Sequence, residues 1–185
     1  MQPLQIQLAL PAWVTDVADF GRLYRTDEER VGLAIALSRE NVARGDGGPF
    51  GAAVFDQEGR LVAAGVNRVV PQSCSVAHAE MMAYMSAQQR LGTFRLNEAG
   101  GRYTLATSAQ PCCQCYGATV WAGVDELLIG ARASDVEELT DFDEGPLPVD
   151  WIGELERRGI AVRYDILREE ARAVLADYGA NGPNY

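Results

Sequence analysis

The chain has 185 residues, of which 48% are apolar, and a formal net charge of −10. That length fits one domain with a real hydrophobic core, and the apolar content excludes a chain that is disordered throughout. The acidic balance argues against a nucleic-acid backbone or an anionic membrane surface as partner, and suits an enzyme acting on a small neutral molecule.

Residues 1–26, with Pro3 and Pro11, read as an N-terminal arm. The first ten residues lack the basic start and apolar run of a signal peptide, and no stretch approaches the length of a membrane span. Residues 27–44 form the first helix, with Val31, Leu33, Ala34, Leu37 and Val42 as its apolar positions and Gly45 as its stop. The glycine-rich run 45–51 breaks the pattern. Residues 52–55 and 61–66 read as two strands, and the turn at 56–59 joins them as a hairpin. A helix follows over 76–91, then a strand over 103–107. Pro111 opens a helix that runs to about Trp121, since proline is well tolerated in a first turn. Residues 126–129 are the next strand, 134–139 a helix, and a loop carries Gly145, Pro146 and Pro148. A helix over 151–158, a strand over 160–164 and a helix over 166–178 complete the pattern, before an irregular tail at 179–185. Strands alternating with helices after an opening hairpin predict an α/β fold, a mixed sheet with helices on both faces. With no repeat and no linker, residues 27–185 read as one domain.

The chemistry-bearing residues fall at two of the predicted helix starts. His78, the only histidine, opens His78-Ala79-Glu80, and Pro111-Cys112-Cys113-Gln114-Cys115 lies downstream. Cys112 and Cys115 are three residues apart, so one helical turn can aim both at one point. A helix N-terminus favours the thiolate that binds zinc. One imidazole and two thiolates make a three-ligand zinc site with its fourth position left for water. Glu80 stands beside His78 as the group that moves protons between water, a ring nitrogen and the leaving amine. The order His-x-Glu, then Pro-Cys-x-x-Cys, is the signature of zinc deaminases acting on bases. Simpler readings compete. A Cys-x-x-Cys can be a redox pair, or half of a structural zinc site completed by Cys74 or Cys113. Cys113 should point away from the face shared by Cys112 and Cys115. Three cysteines within four residues suit metal-ligand thiolates in a reducing cytoplasm better than a disulfide framework.

These motifs, with Gly47-Gly48-Pro49-Phe50-Gly51, Gly65-Val66-Asn67, Trp121-Ala122-Gly123 and Asp141-Phe142-Asp143-Glu144-Gly145-Pro146, resemble the cytidine deaminase-like superfamily from about residue 28 to the end. Within it the chain is most similar to bacterial guanine deaminases and their relatives acting on amino-triazines. The resemblance implies a three-layer α/β/α sandwich around a five-stranded mixed sheet. It also implies a homodimer whose C-terminal segment can close the partner's active site, and hydrolytic deamination of a nucleobase or triazine ring, guanine first. By position it makes His78, Cys112 and Cys115 the zinc ligands, and Glu80 and Glu144 the catalytic carboxyl groups. Phe50, Asn67, the backbone of Ala79, Trp121 and the terminal Tyr185 would contact the ring. One departure stands out: Gln110 precedes Pro-Cys-x-x-Cys where the family often has Glu.

Overall fold

A computed structural model describes residues 5–182. Five strands, β1 (Gly51–Asp56), β2 (Leu61–Val66), β3 (Tyr103–Ala109), β4 (Glu126–Ala131) and β5 (Ala161–Arg163), form one mixed sheet in the order β2-β1-β3-β4-β5. β1 runs antiparallel to β2 and to β3, whereas β3, β4 and β5 are mutually parallel. Among the described residues seven α-helices surround it: α1 (Val14–Val17), α2 (Asp27–Ala43), α3 (Ala79–Leu91), α4 (Cys113–Ala122), α5 (Ala133–Leu139), α6 (Trp151–Glu156) and α7 (Arg168–Asn181). Among the described residues, no helix is long and apolar enough to cross a membrane.

The two-residue period of the strands separates two cores. Ala53, Phe55, Ala106 and Leu128 face Val31, Leu33, Leu37, Val174 and Leu175 of α2 and α7. Ala52, Val54, Leu105, Leu127 and Ile129 face Ala79, Ala83, Tyr84 and Ala87 of α3, with Ala122 of α4 and Leu155 of α6. The result is the expected α/β/α sandwich. Cover on both faces explains why β3 is buried throughout and why β4 is almost continuously apolar.

Within residues 5–26, several side chains pack on the domain. Trp13, Val14, Ala18 and Tyr24 are buried in the α2 core, and the Trp13 indole donates to Asp46 at 2.7 Å. α1 itself is a single turn that the sequence pattern did not suggest. Several helix ends also differ. α7 continues to Asn181, and α3 begins three residues later than expected, so that His78 is its N-cap residue.

Strand register brings the chemistry to one end of the sheet. Gly51 pairs with Val66 and Ala52 with Thr107, so Phe50, Asn67 and Gln110 all leave the sheet at the same edge. Gly65 lets α3 sit directly on β2: a Cβ there would lie 2.2 Å from the Ala79 carbonyl oxygen. That close approach fixes the height of His78 and Glu80 above the sheet.

Candidate active site

α3 and α4 each begin at this end of the sheet, and their first residues face each other. His78 is the N-cap residue of α3 and Cys112 that of α4, both in extended backbone conformation, and neither side chain makes a capping hydrogen bond. The His78 Nδ1 lies 3.5 Å from the Cys112 Sγ and 3.6 Å from the Cys115 Sγ. The two helices are locked together behind the site. The Tyr84 hydroxyl donates to Thr119 Oγ1 at 2.9 Å, and the Thr119 hydroxyl donates to the Cys115 carbonyl at 2.8 Å.

The three ligand atoms lie within 4.8 Å of one another, and neither Cys74 nor Cys113 belongs to the group. A tetrahedral zinc ion with Zn–N of about 2.0–2.1 Å and Zn–S of about 2.3 Å would set nitrogen and sulfur about 3.6 Å apart. The observed separations match that. The thiols are also electrostatically prepared. The hydrogen bond with Cys115, supported by His78, pulls the Cys112 thiol down to about 4, while the same shared proton and burial push Cys115 up.

This group opens into a cavity of about 330 Å³ whose wall includes Phe50, Asn67, Glu80, Gln110, Phe142 and Glu144. Glu80 is 6% exposed; burial first, then the negative charge on Cys112, push its carboxyl up to about 7. Glu144 is equally buried, and burial with the charges of Cys112 and Glu80 pushes it up to about 8. Its backbone is tied to the metal group, because the Cys113 N–H donates to the Glu144 carbonyl at 2.9 Å. Asn67 is buried, and its Oδ1 accepts from the Val69 and Gly48 amides at 3.2 and 3.4 Å. The Phe50 ring packs on Phe142 at 5.4 Å between centroids.

Of the expected site residues, His78, Cys112, Cys115, Glu80, Glu144, Phe50 and Asn67 are thus brought together. Ala79 is fully buried beside the wall. Trp121 is a correction: it is 77% exposed and takes no part in the cavity. It lies six residues after Cys115, which turns it by about 120° from the inward face of α4. Tyr185 lies outside the described residues. Two contributors had not been singled out. Phe142 stacks between Phe50 and Tyr178. Asn41, fully buried in α2, donates its Nδ2 to the Gly48 and Asn67 carbonyls at 2.9 and 3.0 Å and so holds the Asn67 backbone. The signal for Asn41 was present, a polar residue continuing the Leu33, Leu37 stripe of α2.

Residues 24–131 match the family model for the cytidine and deoxycytidylate deaminase zinc-binding region. The chain belongs to this deaminase family. As a member it is a zinc-dependent hydrolytic deaminase, and His78, Cys112 and Cys115 are the group that could hold its metal. Among solved structures the deaminase is similar to guanine deaminase from Nitrosomonas europaea, with 44% identity over 98% of this chain and 100% of that one and a TM-score of 0.92. A structure solved in complex with 8-azaguanine is similar at 44% identity and a TM-score of 0.91, covering 96% of this chain and 99% of that one. Guanine deaminase from Bacillus subtilis is 36% identical over 60% of this chain and 67% of its own. A tRNA-specific adenosine deaminase from Buchnera aphidicola is 27% identical over 85% of this chain and 97% of its own.

Proposed function

We propose that this deaminase converts guanine and water to xanthine and ammonia. The observation that carries the reading is the convergence of the His78, Cys112 and Cys115 ligand atoms on a cavity that also presents two buried carboxyl groups, Glu80 and Glu144. The identity with the Nitrosomonas guanine deaminase, which extends over nearly the whole chain, supports guanine as the ring.

His78, Cys112 and Cys115 would hold zinc, which when bound makes water acidic enough to supply hydroxide at neutral pH. Phe50 would lie against the face of the ring, and Asn67 would hydrogen-bond its polar edge. Glu80, beside the ligands and open to the cavity, would accept the proton lost by water and deliver it to the ring nitrogen next to the amino-bearing carbon. Protonating that nitrogen makes the carbon electrophilic. Glu144, on the opposite loop, would assist in binding the ring and in carrying a proton to the departing ammonia. Burial of both carboxyl groups keeps bulk water from competing for these protons.

The related tRNA deaminases share the zinc motif, but they act on an anionic polymer, which the charge of −10 disfavours. The test is an ammonia-release screen over guanine, ammeline, cytosine, cytidine and adenine, together with tRNA binding at physiological salt. Guanine should be turned over fastest and tRNA should not bind. Faster turnover of another ring, or tight tRNA binding, would overturn the substrate assignment.

We also propose that the enzyme is a homodimer through the outer face of α4. That helix has no charged residue, and Trp121 on it and Phe94 nearby are 77% and 78% exposed. An apolar helix surface of this kind calls for a partner.

A further inference from the structure

Gln110 is the one cavity residue that motif reasoning registered only as a departure. Its backbone N–H donates to the Ala131 carbonyl at 2.8 Å, which anchors it at the end of the sheet. Its side-chain Oε1 accepts from the Ala133 N–H at 3.2 Å. That second bond decides which way the amide points. A backbone N–H can only donate, so it must face the oxygen, and the Nε2 end is the one left over. Gln110 lines the same cavity as Glu80, Asn67 and Phe50.

We infer that Gln110 is a specificity-determining residue that presents its Nε2 as a fixed hydrogen-bond donor to an acceptor atom on the edge of the bound ring. Both ends of the residue are held before any ring arrives, so the donor needs no reordering on binding. The choice of an amide also has a reason. A glutamate at this position would keep the bond to Ala133 through one oxygen, but would turn an acceptor to the ring and add another carboxylate to a cavity already lined by Glu80, Asp141, Asp143 and Glu144. A neutral donor here complements a ring that offers carbonyl or pyridine-type acceptors. Besides N3, the nitrogen that Glu80 would protonate, guanine carries two such atoms, O6 and N7, so the inference rests on the proposed function for the identity of the ring, but not for the direction of the donor.

The experiment is steady-state kinetics of the zinc-loaded enzyme, with zinc content and melting temperature measured on every variant. Gln110→Glu keeps the Ala133 contact and inverts the polarity; Gln110→Met removes donor and acceptor without charge. Both should retain zinc and melt within a few degrees of the wild type. Both should raise KM for guanine about tenfold or more while changing kcat less. The decisive comparison uses 7-deazaguanine and 2,6-diaminopurine, which remove N7 and O6 as acceptors. One of the two should carry a KM penalty in the wild type that disappears in Gln110→Met, because the contact is then already missing. A wild-type KM in Gln110→Glu would overturn the inference. So would a raised KM in Gln110→Met without coupling to either analogue, since the residue would then act at a distance. If another ring is turned over in place of guanine, the substrate assignment fails, and the same variants are tested on that ring and on analogues lacking its acceptors. Absence of turnover on every ring would overturn both.

Discussion

Glu80 and His78 are separated by one residue, yet they have different surroundings. His78 caps α3 in extended backbone, its ring turned toward two sulfurs. Glu80 lies within the first turn of the helix and is buried. A proton carrier of this kind contributes typically 10²–10⁴-fold to rate. Glu80→Gln should therefore lower turnover by about 10²–10⁴-fold and leave zinc stoichiometry unchanged, as read from initial rates of ammonia release and metal analysis. Activity within a few-fold of the wild type would contradict the role. The metal group was legible in the sequence because its spacing is local: Cys112 and Cys115 share one helical turn, and His78 is the only imidazole. The rest of the wall was less so. Trp121 looked like a pocket residue until the helix was turned, and the orientation of Gln110 depends on Ala133, 23 positions away.

Among the elements, α5 and α7 are joined by an ionic clamp. Asp135 is 1% exposed and accepts from Arg168 through both oxygens, at 2.7 and 2.8 Å. Arg172 and the Arg132 backbone N–H also donate to it. The bidentate Arg168 bond, more than the others, holds the Asp135 carboxyl well below the ordinary carboxylate range. Asp135→Asn should cost about 2–3 kcal/mol in denaturant unfolding, since the arginines are partly exposed and can rehydrate. A depressed pKa stabilises the folded state above the unfolded value of about 3.9. The gap between wild type and variant should thus be full at pH 7 and narrow as the pH falls below about 4. A gap constant down to pH 2 would contradict the assignment. The clamp also steadies the start of α5, whose Ala133 N–H orients Gln110. Element types were readable from periodicity and turn residues, and most boundaries fell within a few positions. α1 was not, because four residues are too few to show a period; its helix is set by burying Trp13 and Val14.

For the whole molecule, alternation of strands and helices was enough to foresee a sandwich with helices on both faces. The order β2-β1-β3-β4-β5 follows from pairings between distant segments; the resemblance implied only five strands in one mixed sheet, and periodicity carries no strand order. The exposed Trp121 belongs to this scale as well. Sedimentation should show a dimer, and Trp121→Glu should shift it to monomer by placing a charge in an apolar interface. A monomeric wild type would contradict the assembly. The central claim is that zinc held by His78, Cys112 and Cys115 serves the deamination of guanine. Its most direct measurement is xanthine formed from guanine by protein of known zinc content. Xanthine and ammonia in equal amounts, at a rate proportional to zinc occupancy, is the predicted result. Guanine left intact by protein carrying one zinc per chain would contradict it.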